Sequence, residues 1–313
     1  MVMGATGSLS AAAWWWRSKR RQDLWLGVLL VLPAVLFVVI FILGPLFSTI
    51  ALSFYSRHLT APHQPTTFVG LRNYRYIFGQ DVVQPALFNS VFISAATVLI
   101  QFVIGLAIAL LLNRQFAARG AVRATFIMAW GVPTIAAAFV FRWLFDATYG
   151  AINKLLLSLH VISAGVPWLG EASTALFTVI VANTWKGLPY PILIFLAGLQ
   201  LIPQEIRDAA RIDGAGWWQE FLNVTMPHLR FVTIIFVVLR FIWSFNAFDL
   251  VYLLTGGGPA NATIVLPVQI YIEAFRTFDV GIASALGTVM ALTLIVFTVA
   301  FLRVATEQER ADA

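Results

Sequence analysis

Cysteine is absent from the 313-residue sequence, histidine occurs four times, and only 11% of residues are charged. The lack of cysteine excludes disulfides, zinc–thiolate sites, iron–sulfur clusters and thiol nucleophiles. His58, His63, His160 and His228 stand far apart without ligand spacing, so no metal site is expected. No His-Glu zinc signature and no serine motif with an evident base falls within the apolar stretches, which argues against an intramembrane enzyme. Internal repeats are also missing. A soluble domain carries about 25% charged residues; the shortfall here, with a mean hydropathy of +0.86, belongs to a chain solvated mainly by lipid. The net charge of +6 is scattered between apolar runs rather than gathered on one face, so nucleic acid is not an expected partner.

What the sequence has in abundance is apolar length. About 20 apolar residues cross a bilayer core, and six segments qualify: roughly 24–53, 86–112, 124–145, 175–199, 229–254 and 281–304. Basic residues precede the first as they would in a signal peptide. Its apolar run is too long for one and no small-residue cleavage site follows, so a retained first helix is expected. Lysine and arginine divide unequally between alternate loops, which sets orientation. Twelve (Arg17, Lys19, Arg20, Arg21, Arg114, Arg119, Arg123, Arg207, Arg211, Arg230, Arg303, Arg310) fall on one side, against five (Arg57, Arg72, Arg75, Lys154, Arg276) on the other. The expected fold is therefore all-α and integral to the membrane: six transmembrane helices with both ends in the cytoplasm. A cytoplasmic segment 1–23, one membrane domain 24–304 and a cytoplasmic tail 305–313 complete it.

The fourth and fifth spans are separated by a stretch that is not apolar, IPQEIRDAARIDGAGWWQEFLNVTMP, Ile202 to Pro227. Pro203 suits the first turn of a helix, and Glu205 and Asp208 suit its positive end. Ile206, Ala209, Ala210 and Asp213 recur three or four apart, giving one small, smooth side. Gly214-Ala215-Gly216 permits a turn or a close approach, and Trp217, Trp218 and Phe221 follow as a bulky apolar group. Small residues followed by aromatics suit a knob that enters another protein's cleft. An interfacial helix lying on lipid headgroups accounts for the tryptophans but not for Asp208 and Asp213.

This stretch resembles the EAA motif of binding-protein-dependent ABC importer permeases, whose form is Glu-Ala-Ala, three residues, Gly, nine residues, then a hydrophobic-Pro ending. Asp208 stands where the family usually has Glu; Ala209, Ala210, Asp213, Gly214, Ala215 and Pro227 fit. NTWKGLPYPILIFLAGLQLIPQEI (Asn183–Ile206) and FNAFDLVYLLTGGGP (Phe245–Pro259) resemble the carbohydrate-type branch, in the short six-span form of its MalF-like subunit. The resemblance implies an ABC type-1 transmembrane domain over 24–304 and a coupling helix over 203–222, docking through Asp208, Ala209, Ala210, Asp213, Gly214 and Ala215. It also implies a second, MalG-like permease subunit, a dimer of cytosolic ATP-binding subunits that alone hold ATP and Mg, and an extracytoplasmic substrate-binding protein. The place would be a prokaryotic plasma membrane, in contact with its lipid.

Polar groups inside spans are functional candidates when they face the bundle or a wet cavity. Asn183, Thr184, Lys186 and Tyr190 cluster around Gly187, Pro189 and Pro191. Lys186 lies about 16 Å from the outer end at 1.5 Å per residue, near mid-bilayer, and Arg240 is similarly deep in the fifth span. A sugar needs hydroxyl partners and an aromatic face. Gly187 and Tyr190 on one span and Ser244 and Asn246 on another can supply these; by resemblance the GxPY (Gly187–Tyr190) and FNxF (Phe245–Phe248) positions match sugar-lining ones, and Asn183 and Lys186 complete the candidate set. The alternative is that Lys186, Arg240 and Asp249 are interhelical pairs holding the bundle, and that Ser244 and Asn246 are helix–helix hydrogen bonds. Arg142 and Asp146, one turn apart, read as a structural pair at the outer rim. Gly256-Gly257-Gly258-Pro259 lacks the Lys-Ser/Thr ending of a phosphate loop and is expected as a tight turn beneath a docked binding protein. A secondary transporter driven by an ion gradient, with Lys186 and Asp249 as coupling groups, is the competing function, although such proteins usually carry internal repeats.

Overall fold

The structure, a computed structural model, describes residues 25–60 and 66–311. The basic N-terminal segment 1–23 lies outside the described residues. The first helix, α1 (Trp25–Leu52), is apolar from end to end. It widens into a π-helical turn at Val39–Leu43 immediately before Gly44-Pro45. A proline inside a helix cannot donate to the carbonyl four residues back, and a widened turn is one way to absorb that.

From Ser53 onward the chain forms a second unit. It opens with a two-stranded antiparallel hairpin, β1 (Tyr55–Ser56) and β2 (Thr67–Phe68). The short helix α2 (Arg72–Phe78) then leads into α3 (Val83–Asn113), which has 31 residues. Next come α4 (Arg119–Gly131), α5 (Thr134–Leu144), α6 (Ala151–Ser158), α7 (Ala172–Gly187) and α8 (Pro189–Gln200). The short α9 (Gln204–Ile212) precedes α10 (Trp217–Phe245), which contains a second π-helical turn at Phe221–Thr225. The chain closes with α11 (Phe248–Leu254), α12 (Leu266–Phe275) and α13 (Val280–Ala311).

Helix α3 is the centre of this unit and packs against α7, α8 and α10. Its burial pattern is the reverse of a soluble helix. Asn89, Ser90, Ser94, Thr97 and Gln101 are buried, while Phe88, Leu99 and Val103 are exposed. Water around the helix would leave the apolar face unsolvated and hide the polar one; hydrocarbon reverses both costs. Phe102, Phe195 and Phe236 fill the space between α3, α8 and α10, with ring centroids 5.5 and 5.1 Å apart along the chain Phe102–Phe195–Phe236.

By length and composition, four described helices can cross a membrane, or up to six if each of two bent pairs is one span. The expected first, second, fifth and sixth spans coincide with α1, α3, α10 and α13. The expected third, 124–145, is not straight: α4 and α5 meet at 100°. Pro133 is the cause, because it disfavours helical backbone at the residue before it, and Val132 takes up an extended conformation with φ −75° and ψ 121°. The expected fourth, 175–199, is α7 and α8 joined at 46°, broken where Pro189 follows Leu188. The fifth ends at Phe245 rather than at residue 254, because the Asn246 side chain donates to the Ile242 carbonyl at 2.7 Å and the backbone leaves the helix at Ala247. Helix α13 continues past 304 to Ala311. At the rim, Arg142 does not pair with Asp146. Asp146 Oδ1 instead accepts the backbone N–H groups of Thr148 and Tyr149 at 2.8 and 3.0 Å, closing a turn.

Candidate functional site

Both bends free backbone carbonyls, and in each case a polar side chain from a neighbouring helix covers them. At the α7–α8 break, Leu188 N–H bonds Trp185 O instead of continuing the helix, leaving Thr184 O without its usual donor. Gln101 of α3 fills that role: Nε2 donates to Thr184 O at 2.9 Å and Asn183 O at 3.2 Å. Its other end, Oε1, accepts from Arg240 Nε of α10 at 2.6 Å. Beside it, Asn183 Nδ2 donates to Ser244 Oγ at 2.7 Å and to Thr97 Oγ1 at 3.5 Å. Thr97, Gln101, Asn183, Thr184, Arg240 and Ser244 are all buried, so one polar network joins α3, α7 and α10. Gly187 is what lets it form. A Cβ there would lie 2.2 Å from Arg240 Nη2 and 2.5 Å from Gln101 Nε2.

At the α4–α5 break the covering group is Lys186. Pro133 has no N–H to offer Ala129 O, four residues back. Lys186 Nζ donates to Ala129 O at 3.1 Å, Trp130 O at 3.4 Å and Val132 O. Neither Lys186 nor Arg240 has a carboxylate within ion-pair distance among the described residues, and Asp249 is exposed. The three therefore do not pair with one another. Tyr190 is half-buried against Phe236 and Trp243, the latter at 4.9 Å edge-on, and Asn246 is exposed.

The interrupted stretch divides in two. Helix α9 stops at a turn in which Gly214 has φ +80°, a conformation that side chains with a Cβ rarely adopt. Gly214 N–H bonds Arg211 O at 3.1 Å and Ala215 N–H bonds Ala210 O at 2.9 Å, the paired closure that ends many helices. Trp217, Trp218 and Phe221 then belong to the start of α10 rather than to α9. Asp208, Ala209, Asp213 and Gly214 are exposed, Ala210 and Ala215 half-buried. Arg211 ties the corner together, with Nε 3.2 Å from Glu220 Oε2.

At the opposite end of α3, Asn89 Nδ2 donates to Ala262 O and Ile264 O at 3.0 Å each, and Ser90 Oγ accepts from Leu266 N–H at 2.8 Å. Thr255 and Thr263 share a hydroxyl hydrogen bond at 2.7 Å across the Gly256–Pro259 turn. The loop after α11 is thus fixed to α3. Replacing Asn89 by Ala leaves two carbonyls of this loop unpaired, at about 1–3 kcal/mol each. Hydrogen–deuterium exchange in 255–266 should accelerate by more than about ten-fold; unchanged exchange would mean the turn holds itself. Gln101, Thr97, Asn89, Ser90 and Pro133 do not figure in the sequence reading, though each carries a signal: lone amides, hydroxyls or a proline inside an apolar run.

Residues 101–310 match the family described as binding-protein-dependent transport system inner membrane component. The trehalose/maltose transport system permease protein MalF of Thermococcus litoralis is 36% identical over 279 residues, covering 89% of this chain and 93% of that protein. The sulfoquinovosyl glycerol transport system permease protein SmoG of Agrobacterium fabrum is 32% identical, covering 93% of each. The diacetylchitobiose uptake system permease protein DasB of Streptomyces coelicolor is also 32% identical, covering 98% of this chain and 93% of that one. Among solved structures, a chain of a bacterial ABC transporter that imports the acidic polysaccharide alginate superposes with a TM-score of 0.77 at 21% identity. That match covers 93% of this chain and 98% of the other, and it shows a shared fold.

Proposed function

The chain belongs to the family of binding-protein-dependent transport system inner membrane components, and from that premise we propose that it is one of two permease subunits of an ATP-driven sugar importer. In this reading the chain crosses the membrane six times with both ends in the cytoplasm, each bent pair counting as one span. Helix α9 and its turn, through Asp208, Ala209, Ala210, Asp213, Gly214 and Ala215, seat in a groove of a cytosolic ATPase subunit. ATP and Mg bind in that ATPase dimer, and a second permease subunit completes the pore. An extracytoplasmic binding protein delivers the substrate. Nucleotide-driven closure in the ATPase then biases the equilibrium between inward- and outward-open states.

The sugar class rests on the relatives, three of which are named for glycan or glycoside transport; neutral oligosaccharide is the first choice. Within the pore we assign direct sugar contact to Tyr190, with Trp243 beside it, and to exposed Asn246. An aromatic face with adjoining amide groups suits a sugar ring. Asn183, Lys186 and Ser244 reach the sugar once their internal partners release them, and Gly187 lines the site through its backbone once Arg240 and Gln101 move aside.

The observation that carries the coupling reading is the short exposed helix with its glycine-closed turn, standing between the fourth and fifth expected spans. Ala209→Trp combined with Asp213→Lys places bulk and reversed charge on exposed positions and leaves the Gly214 turn intact. Co-expressed with its ATPase and second permease, the wild type should retain the ATPase through purification. The double variant should insert normally and lose about ten-fold or more of it, the equivalent of 1.4 kcal/mol or above. Equal retention would remove α9 from the docking surface.

A further inference from the structure

Between the end of α3, the end of α8 and the corner joining α9 to α10 lies a cavity of about 580 Å³. Its wall carries three arginines, Arg114, Arg207 and Arg211, with one acid, Glu220, beside the apolar Trp217 and Phe221. These charges do not cancel. Arg211 is compensated, lying 3.2 Å from Glu220 and 3.8 Å from Asp208. Arg207 gives Nη2 to the Leu199 carbonyl at 3.0 Å, while its Nε is buried with no partner. Arg114 is exposed, and its guanidinium has no ion pair among the described residues. Two cations from different helices thus border one cavity without a carboxylate of their own.

We propose that this cavity binds the phosphate-bearing headgroup of an anionic phospholipid. The depth is right: Arg114 is the first residue past an apolar helix of 31 residues, more than a hydrocarbon core needs, so its end reaches headgroup level. Exposed Trp217 and Trp218 lie on the same corner, and tryptophan concentrates at that level. Basic pockets between membrane helices on the cytoplasmic side are suited to anionic headgroups. Free phosphate offers the same chemistry, but it has no use for the apolar half of the wall. Given the coupling reading of α9, on which this consequence rests, the headgroup bridges Arg114 of α3 to Arg207 of α9 and braces the coupling helix against the bundle.

The test reads lipid retention by native mass spectrometry. The chain, alone and in its assembled transporter, is extracted from vesicles of equimolar phosphatidylcholine and phosphatidylglycerol. Wild type should keep bound phosphatidylglycerol in both states. Arg114→Gln with Arg207→Gln should lower retention about ten-fold or more, because both cations facing the headgroup are lost, and exposed Arg114→Gln alone should show a partial loss. Arg123→Gln, an exposed arginine outside the cavity, should change nothing. Equal loss in Arg123→Gln, or none in the double variant, overturns the proposal. Displacement of the lipid by millimolar inorganic phosphate would assign the site to a free anion instead. Retention by the chain alone but not by the transporter would overturn the bracing role, because the assembled ATPase would then fill the cavity. Assembly is scored separately by the ATPase that co-purifies, so a failed coupling reading leaves the result on the isolated chain standing.

Discussion

Gly187→Ala should be among the most damaging single-methyl changes in the protein. The added Cβ would fall 2.2 Å from Arg240 Nη2, 2.6 Å from its Cζ and 2.5 Å from Gln101 Nε2. The tips of flexible side chains often move aside cheaply, but here both belong to the same buried network. Moving Arg240 breaks its 2.6 Å bond to Gln101, and moving Gln101 uncovers the Thr184 carbonyl. Overpacking costs about 1–3 kcal/mol, and a lost hydrogen bond to a charged group about 1.5–3 kcal/mol, so a total of roughly 3–5 kcal/mol is expected. Apparent melting temperature in detergent should fall accordingly, and transport with it. A double-mutant cycle isolates the cause. In an Arg240→Met background the guanidinium and its bond to Gln101 are already gone, so Gly187→Ala should cost clearly less there than in the wild type. If the single variant melts like the wild type, or the glycine change costs as much in both backgrounds, the glycine is not there to admit Arg240.

Lys186→Met is the second large effect. The substitution keeps length and apolar volume but removes the ammonium that serves Ala129, Trp130 and Val132 at the 100° bend. Inside hydrocarbon no water replaces it, and each carbonyl left bare costs about 1–3 kcal/mol. The expected loss is several kcal/mol, seen as an apparent melting temperature lower by about 5 °C or more and as transport reduced more than ten-fold, each ten-fold being about 1.4 kcal/mol. Lys186→Arg keeps donors in place and should retain much of both. Full transport by the methionine variant would show that the bend closes without Lys186 and would also remove the residue from the sugar contacts.

The membrane class and the positions of the long helices were legible in the sequence because both follow from apolar length, a property summed over some twenty residues. The α9 turn was legible too: Gly214 follows the periodic residues where a left-handed closure falls. The two bends were less so. Pro133 and Pro189 announce breaks, yet an apolar run reads the same whether its helix is straight or turns through 100°. The roles of Lys186 and Arg240 were not legible at all. A charge deep in a span invites a carboxylate partner or a ligand, whereas the structure gives Lys186 three backbone carbonyls and Arg240 a neutral amide. Those partners depend on which helix lies beside the break, and Gln101, 82 residues before Asn183 in sequence, is brought there only by packing.

Helix α3 makes polar attachments at two heights, Asn89 and Ser90 to the loop after α11 and Gln101 to the α7–α8 break, while its last turns line the cavity beside α9. With 31 residues it is a rod of about 46 Å at 1.5 Å per residue, and Gln101 sits a few residues from its midpoint. A body held at its centre pivots instead of sliding. A tilt of about 5° about that fulcrum carries the two ends of such a rod about 2 Å in opposite directions, so the loop side and the α9 side of the molecule share a single lever arm.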